Sequence, residues 1–307
     1  MTPSTLPVAA RPTDNRAALF AMVAAVAAFS LNDTIMKLLG EISPTGQNLV
    51  IRAMFATPLA YLVARARGET IALRHMRRPI MVVRAACEMT IVGLFISSLP
   101  YLSLGDAITI TQTTPLMMTA LAAIYLKEVV GWRRWAATAV GFVGVMLVAR
   151  PGAHGLNPWA ISALAVAFLV AVRDMITRFV PSEISTGSMT VLSAIVAGLA
   201  GVALAPFETW STPTPKAIGL SAAAAALTVI GNILIIKAFR IGEASLVAPF
   251  RYVVIPFSLV WGYLAFGEKP DAAAIIGIAL IVGGGLYTLH RERKLRAAAS
   301  GETQAAH

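Results

Sequence analysis

Apolar blocks of about twenty residues follow one another almost without interruption from residue 17 to residue 289. Wound as a helix at about 1.5 Å per residue, such a block spans the roughly 30 Å hydrocarbon core of a bilayer. Ten blocks can be delimited: 17–38, 45–65, 80–100, 105–126, 132–149, 158–179, 184–206, 216–239, 244–266 and 271–289. In lipid the backbone must satisfy its own hydrogen bonds, which makes helices of blocks this long. The expected fold class is therefore an all-α membrane protein with ten transmembrane helices. The longest connection runs only from Arg65 to Pro79, so no loop can hold a catalytic domain. A content of 57% hydrophobic and 13% charged residues fits the same class.

The blocks read as a duplication. Phe29–Leu39 is FSLNDTIMKLL and Phe168–Val180 is FLVAVRDMITRFV. Each carries an acid with a cation one helical turn later, Asp33 with Lys37 and Asp174 with Arg178. An odd number of crossings per copy turns the second copy upside down in the bilayer, the arrangement that secondary transporters build around a site at the repeat interface. Further landmarks recur in the same order. Ile42-Ser43-Pro44-Thr45-Gly46 resembles Ile184-Ser185-Thr186-Gly187. Leu104-Gly105-Asp106-Ala107 resembles Ile241-Gly242-Glu243-Ala244. Lys127-Glu128 resembles Gly267-Glu268. The expected organisation is a cytoplasmic N-terminal segment (1–16), two inverted five-helix repeats (17–149 and 158–289), a Pro/Gly linker (150–157) and a basic tail (290–307).

These landmarks carry a resemblance. Gly-Asp/Glu-Ala, a proline-bearing helix, Gly/Lys-Glu and a glycine-rich last helix are together similar to the EamA-like domain. Two such domains in tandem look like the drug/metabolite transporter superfamily. Ala248-Pro249-Phe250-Arg251-Tyr252 and Phe266-Gly267-Glu268-Lys269-Pro270 make the second half the closer match. The resemblance implies a central cavity and a bacterial-type inner (plasma) membrane location.

The net charge of +10 is placed for topology rather than for nucleic acid. Most of the 25 cations fall in segments that face one side, ending with Arg291, Arg293, Lys294 and Arg296. Only Arg150, Lys216 and Lys269 fall on the other side. This positive-inside bias puts both termini in the cytoplasm, with lipid as a second partner of the basic face. The only cysteine is Cys87, and His75, His154, His290 and His307 are scattered, so no metal site or cofactor is expected. Phosphate-binding loops and nucleophile–base sets are absent from the sequence. An enzyme is not expected, nor is an ATPase subunit evident as a partner.

Ionisable groups within a membrane are costly and mark candidate sites. Arg52, Glu88 and Arg251 fall near the middle of their blocks. Arg251 and Tyr252 lie between Pro249 and Pro256, where a kinked helix would expose backbone to a cavity. Thr109 to Pro115 in the fourth block is unusually polar, with Pro115 a third expected kink. Its hydroxyls can bond back to their own helix, whereas Gln112 favours a polar cavity. Asn232 is a comparable amide, and Tyr101 is placed to touch a ligand. Asp33, Lys37, Asp174 and Arg178 are expected as gating residues or ion pairs. The substrate-binding candidates are thus Arg251, Tyr252, Glu88, Arg52, Gln112, Asn232 and Tyr101. The charges of both signs point to a zwitterion carried by alternating access, and the family resemblance implies an exporter of amino acids, aromatic ones included. The alternatives are uptake of S-adenosylmethionine or a similar metabolite, implied by the resemblance of the ninth block, and export of a lipophilic cation or drug.

Overall fold

The computed structural model describes residues 15–114, 116–117, 121, 132–149, 157–181, 183–241 and 248–305. The described residues are helical, with no strand among them. The helices of the first half are α1 (Asn15–Ile42), α2 (Thr45–Ala66), the short α3 (Leu73–Met76), α4 (Pro79–Ser98), α5 (Leu104–Thr111) and α6 (Trp132–Ala149). Those of the second half are α7 (Pro158–Arg178), α8 (Thr186–Leu204), α9 (Pro215–Ile241), α10 (Val254–Phe266) and α11 (Ala272–Ala305). Six of them are long and apolar enough to cross a membrane, and shorter apolar helices lie at Ala139–Val148, Phe250–Phe266 and Ala272–Tyr287. Phe20, Met54, Leu62, Phe207 and Leu264 point outward and are strongly exposed, an apolar exterior suited to lipid.

Local chemistry sets the helix ends. The Ser103 hydroxyl accepts from the Asp106 amide at 3.0 Å and starts α5. Asn157 accepts from the Trp159 amide at 3.0 Å ahead of α7, with Pro158 in the first turn. Ser185 accepts from the Ser188 amide at 3.1 Å ahead of α8. At the end of α10, Gly267 takes φ +67°, the left-handed conformation that glycine adopts without a Cβ penalty. Its amide bonds the Tyr263 carbonyl and the Glu268 amide bonds the Gly262 carbonyl. That turn aims Glu268 back toward the helix bundle.

Each main helix of one half packs on a helix of the other: α1 on α9, α2 on α8, α4 on α7, α5 on α10 and α6 on α11. Small residues allow the closest of these approaches. A Cβ on Gly46 would meet the Gly201 carbonyl oxygen at 2.6 Å, and one on Gly201 would strike the Gly46 carbonyl. Gly144 and Gly277 stand in the same relation across α6 and α11, at 2.7 and 2.6 Å. The α2–α8 pair is also stapled at both ends. Both carboxylate oxygens of Glu208 accept from the Gly46 amide at the start of α2, at 3.0 and 2.9 Å. Glu69 accepts from the Gly187 amide at the start of α8 at 2.5 Å. Each helix N-terminus therefore meets a carboxylate from the other half, where the helix dipole favours negative charge.

Two expectations need correction here. The fourth block does not run as one helix from 105 to 126: α5 stops at Thr111, and Gln112 and Thr113 form a turn. The hydroxyls of Thr111, Thr113 and Thr114 each bond a carbonyl three residues back at 2.7 Å, competing with the helix ladder. Nor does Pro256 kink a helix. It is the third residue of α10, in the first turn, where its missing N–H has no intrahelical partner to lose. The irregularity lies upstream, in a 3-10 segment at Ala248–Val253 that carries Pro249. Pro115 lies outside the described residues. Pro58, inside α2, is an interior proline that the sequence reading did not single out.

Candidate functional site

Two cavities meet at the centre of the bundle. The first, about 520 Å³, is bounded by α1, α2, α4, α7, α8 and α9, and is lined by Asn32, Asp33, Arg52, Arg84, Glu88, Arg173, Asn232 and Arg251 among others. The second, about 550 Å³, lies toward α5 and α10, and its walls include Val26, Ile108, Val166, Val170, Tyr252 and Val254, with Gln112 and Asp174. Phe29, Asp33, Ile91, Phe95, Arg173, Ile235 and Arg251 line both. The two are lobes of one site, one polar and one mostly apolar, with Phe29 and Phe95 at the seam. Volumes of this size suit a small organic molecule.

Arg173 is the hub of the polar lobe. Its guanidinium donates to Glu88 at 3.1 Å and to Asp174 at 2.7 Å. Arg84 lies 3.9 Å from Glu88 one turn away on α4, and also donates to Thr177 at 3.2 Å and Ser193 at 3.3 Å. Glu88 is therefore engaged by two cations. Asp33 has a different setting: it accepts from the Asn32 side-chain amide at 2.9 Å, and the Asn32 carbonyl oxygen accepts from Thr228 at 3.0 Å. Arg52 on α2 is only 8% exposed and faces the polar lobe. Among the described residues its guanidinium has no hydrogen-bond partner. Gln112 donates to the Arg251 carbonyl at 3.5 Å, so the break after α5 faces the 3-10 segment.

Other expectations land elsewhere. Lys37 does not pair with Asp33. It turns toward the end of α1 and pairs with Glu268, while donating to the Leu102 carbonyl at 2.5 Å and lying 4.8 Å above the Phe266 ring. Glu268 in turn accepts from the Leu104 amide at 2.7 Å. The physical reason is reach: Gly267 turns Glu268 inward, and the carboxylate meets a buried ammonium and an unpaired helix N–H together. Asp174 pairs with the adjacent Arg173; the Arg178 side chain lies outside the described residues. Tyr101 does not line the cavity. It is 60% exposed and stacks on Trp159 with ring centroids 4.1 Å apart. Its neighbour in space supplies the aromatic face that the sequence reading assigned to a ligand. Tyr252 lines the apolar lobe, yet its ring packs on Gly285 of α11, where a Cβ would collide with the hydroxyl.

Sequence reasoning passed over Arg173 as a site residue, although it is a cation well inside an apolar block. It missed Phe29 and Phe95 altogether, since an aromatic residue in an apolar helix gives no signal of facing a cavity. Among the described residues, no cluster of three His, Cys, Asp or Glu could hold a metal.

The model of the EamA-like transporter family matches residues 16–150 and again 157–289. The chain belongs to the EamA-like transporter family. It is thus a membrane transporter of the drug/metabolite type, not an enzyme. S-adenosylmethionine uptake transporters are similar to it: that of Rickettsia bellii at 32% identity over 61% of this chain, and that of Rickettsia prowazekii at 28% over 86%. The match spans 64% of the former protein, just under two thirds, and 90% of the latter. The pseudopaline exporter CntI of Pseudomonas aeruginosa is 24% identical over 83% of this chain and 89% of that protein. A solved crystal structure superposes with a TM-score of 0.61 at 19% identity, over 91% of this chain and 99% of its own, which speaks for the shared fold. These relatives are named as carriers of small molecules.

Proposed function

We propose that this EamA-like transporter is an alternating-access secondary carrier of a small metabolite bearing both signs of charge. The observation that carries this reading is the two-lobed central cavity, into which acids and arginines from several helices converge. Buried charges are costly in a membrane and are retained where a substrate or gate uses them. An amino-acid exporter fits that chemistry, with Arg52 or Arg251 for the carboxylate and Gln112, Asn232 and Tyr252 along the walls. Glu88, held by Arg173 and Arg84, acts through that network. Asp174, on the wall of the apolar lobe, and Lys37, paired with Glu268 outside both lobes, serve as gating residues.

The architecture proposed for it is two inverted five-helix repeats, residues 17–149 and 158–289, with linker 150–157 between them and both termini cytoplasmic. The helix pairing supports inversion. Exchanging α1 with α7 and α4 with α9 turns the α1–α9 contact into the α7–α4 contact, while α2–α8, α5–α10 and α6–α11 map onto themselves.

Uptake of S-adenosylmethionine or a similar metabolite is the second reading, favoured by the two Rickettsia relatives and by the apolar lobe beside the polar one. Export of a lipophilic cation is disfavoured by Arg52 and Arg251 in the cavity wall. Reconstitution into proteoliposomes and uptake of labelled amino acids and S-adenosylmethionine tests the proposal. Saturable uptake of one of them, lost in Arg251→Ala, is the expected result. Uptake of a cationic dye alone contradicts it.

A further inference from the structure

The charges of the cavity divide into two sets. Glu88, Asp174, Arg173 and Arg84 hold one another. Asp33, Arg52 and Arg251 make no ion pair among the described residues. Asp33 and Arg52 line the same polar lobe with opposite charge, near enough to attract each other but without a direct ion pair. Arg52 is more than nine-tenths buried. A mostly buried guanidinium that opens on a cavity and has no direct hydrogen-bond partner is a ready seat for a ligand's counter-charge. A zwitterionic head group fits that gap, with its carboxylate on Arg52 and its ammonium on Asp33. Asp33 also borders the second lobe, whose walls beyond Phe29 and Phe95 are mostly apolar, with Thr111, Gln112, Thr114 and Asp174 among them. A head group seated on Asp33 and Arg52 would leave that lobe to whatever the head group carries.

We propose that the substrate is an amino acid with a large apolar or planar arm, its head group held by Asp33 and Arg52 and its arm lying past Phe29 and Phe95 in the apolar lobe. This deepens the carrier reading and rests on it. Small amino acids fill the head site alone and leave the apolar lobe empty. A nucleoside without an amino-acid head fills the lobe and leaves two buried charges unpaired. Both bind more weakly than a molecule carrying both parts.

The test is calorimetric titration of the purified full chain with alanine, phenylalanine, tryptophan, S-adenosylmethionine and adenosine. The expected result is an affinity that rises with the arm, the best amino acid binding about tenfold or more tighter than both alanine and adenosine. Asp33→Asn and Arg52→Gln should each weaken that ligand at least about tenfold, with cooperative thermal unfolding in detergent showing that the variants are folded. Alanine binding as tightly as the armed amino acids overturns the two-lobe assignment and leaves the carrier reading standing. Unchanged affinity in both variants overturns the role of Asp33 and Arg52. Should a variant fail to fold, the ranking on the wild-type protein still decides. If no zwitterion binds while proteoliposomes transport another compound, the carrier's proposed substrate class falls together with this inference.

Discussion

Lys37 shows at residue scale how a membrane helix keeps a charge. Its side chain is 7% exposed, and its ammonium meets Glu268, the Leu102 carbonyl and the Phe266 ring. Removing one partner strands the other, so Lys37→Met should lower stability by about 3–5 kcal/mol. The double variant Lys37→Met/Glu268→Met should recover most of that loss, read as thermal unfolding in detergent. A double variant no better than the single one would show that the pair is not a unit. Glu183, outside the membrane spans, behaves differently. Its carboxyl sits below its ordinary value of 4.5, chiefly through the hydrogen bond and charge of Arg78, 2.7 Å away. A depressed pKa contributes stability above the ordinary carboxylate range and loses it as pH falls through the lowered value. Both partners are exposed, so the pair is screened. Glu183→Gln should leave the unfolding temperature unchanged at pH 7, and a measurable drop there would contradict the assignment. The costly residues were legible in the sequence, because Asp33, Arg52, Glu88 and Arg251 interrupt apolar blocks. Their partners were not. Sequence spacing pairs Lys37 with Asp33 at one turn, and only the fold brings Glu268 within reach.

At the scale of elements, helix ends and close crossings do most of the positioning. The Gly46–Gly201 contact leaves no room for a side chain, so Gly201→Val should destabilise by about 1–3 kcal/mol through overpacking. Gly219 in α9 has open space where a Cβ would go, and Gly219→Ala should cost nothing. Equal unfolding temperatures for the two variants would refute the close crossing of α2 and α8. The capping carboxylates lie at opposite ends of that helix pair. Glu69→Gln and Glu208→Gln should each cost about 0.5–2 kcal/mol, and their effects should add. Block lengths predicted most helices to within a few residues, as for 132–149 against Trp132–Ala149. The last helix runs on to Ala305, past the block's end at 289, because a polar stretch can stay helical beyond the apolar span. The shortened helices came where polar side chains and prolines rewrite the backbone. The threonines after Ile110 end α5 by bonding back, and prolines near Arg251 sit in first turns rather than in helix interiors. A block boundary read from hydropathy carries neither effect.

In the whole molecule, helices of both halves surround one shared cavity. The charge asymmetry predicts that reporter fusions at residues 1 and 307 both sit in the cytoplasm; a periplasmic signal from either would overturn the topology. The duplication was legible because its landmarks keep their order across the halves. The split of the cavity into polar and apolar lobes was not, since it depends on which faces of α1, α4 and α7 turn inward. In the proposed reading, this EamA-like transporter carries a zwitterionic metabolite through that cavity. Counterflow tests it most directly: proteoliposomes preloaded with unlabelled amino acid or S-adenosylmethionine are diluted into labelled solute. Transient, saturable accumulation that disappears in Arg52→Gln is the expected result. Simple equilibration that neither saturates nor responds to preloading would contradict it.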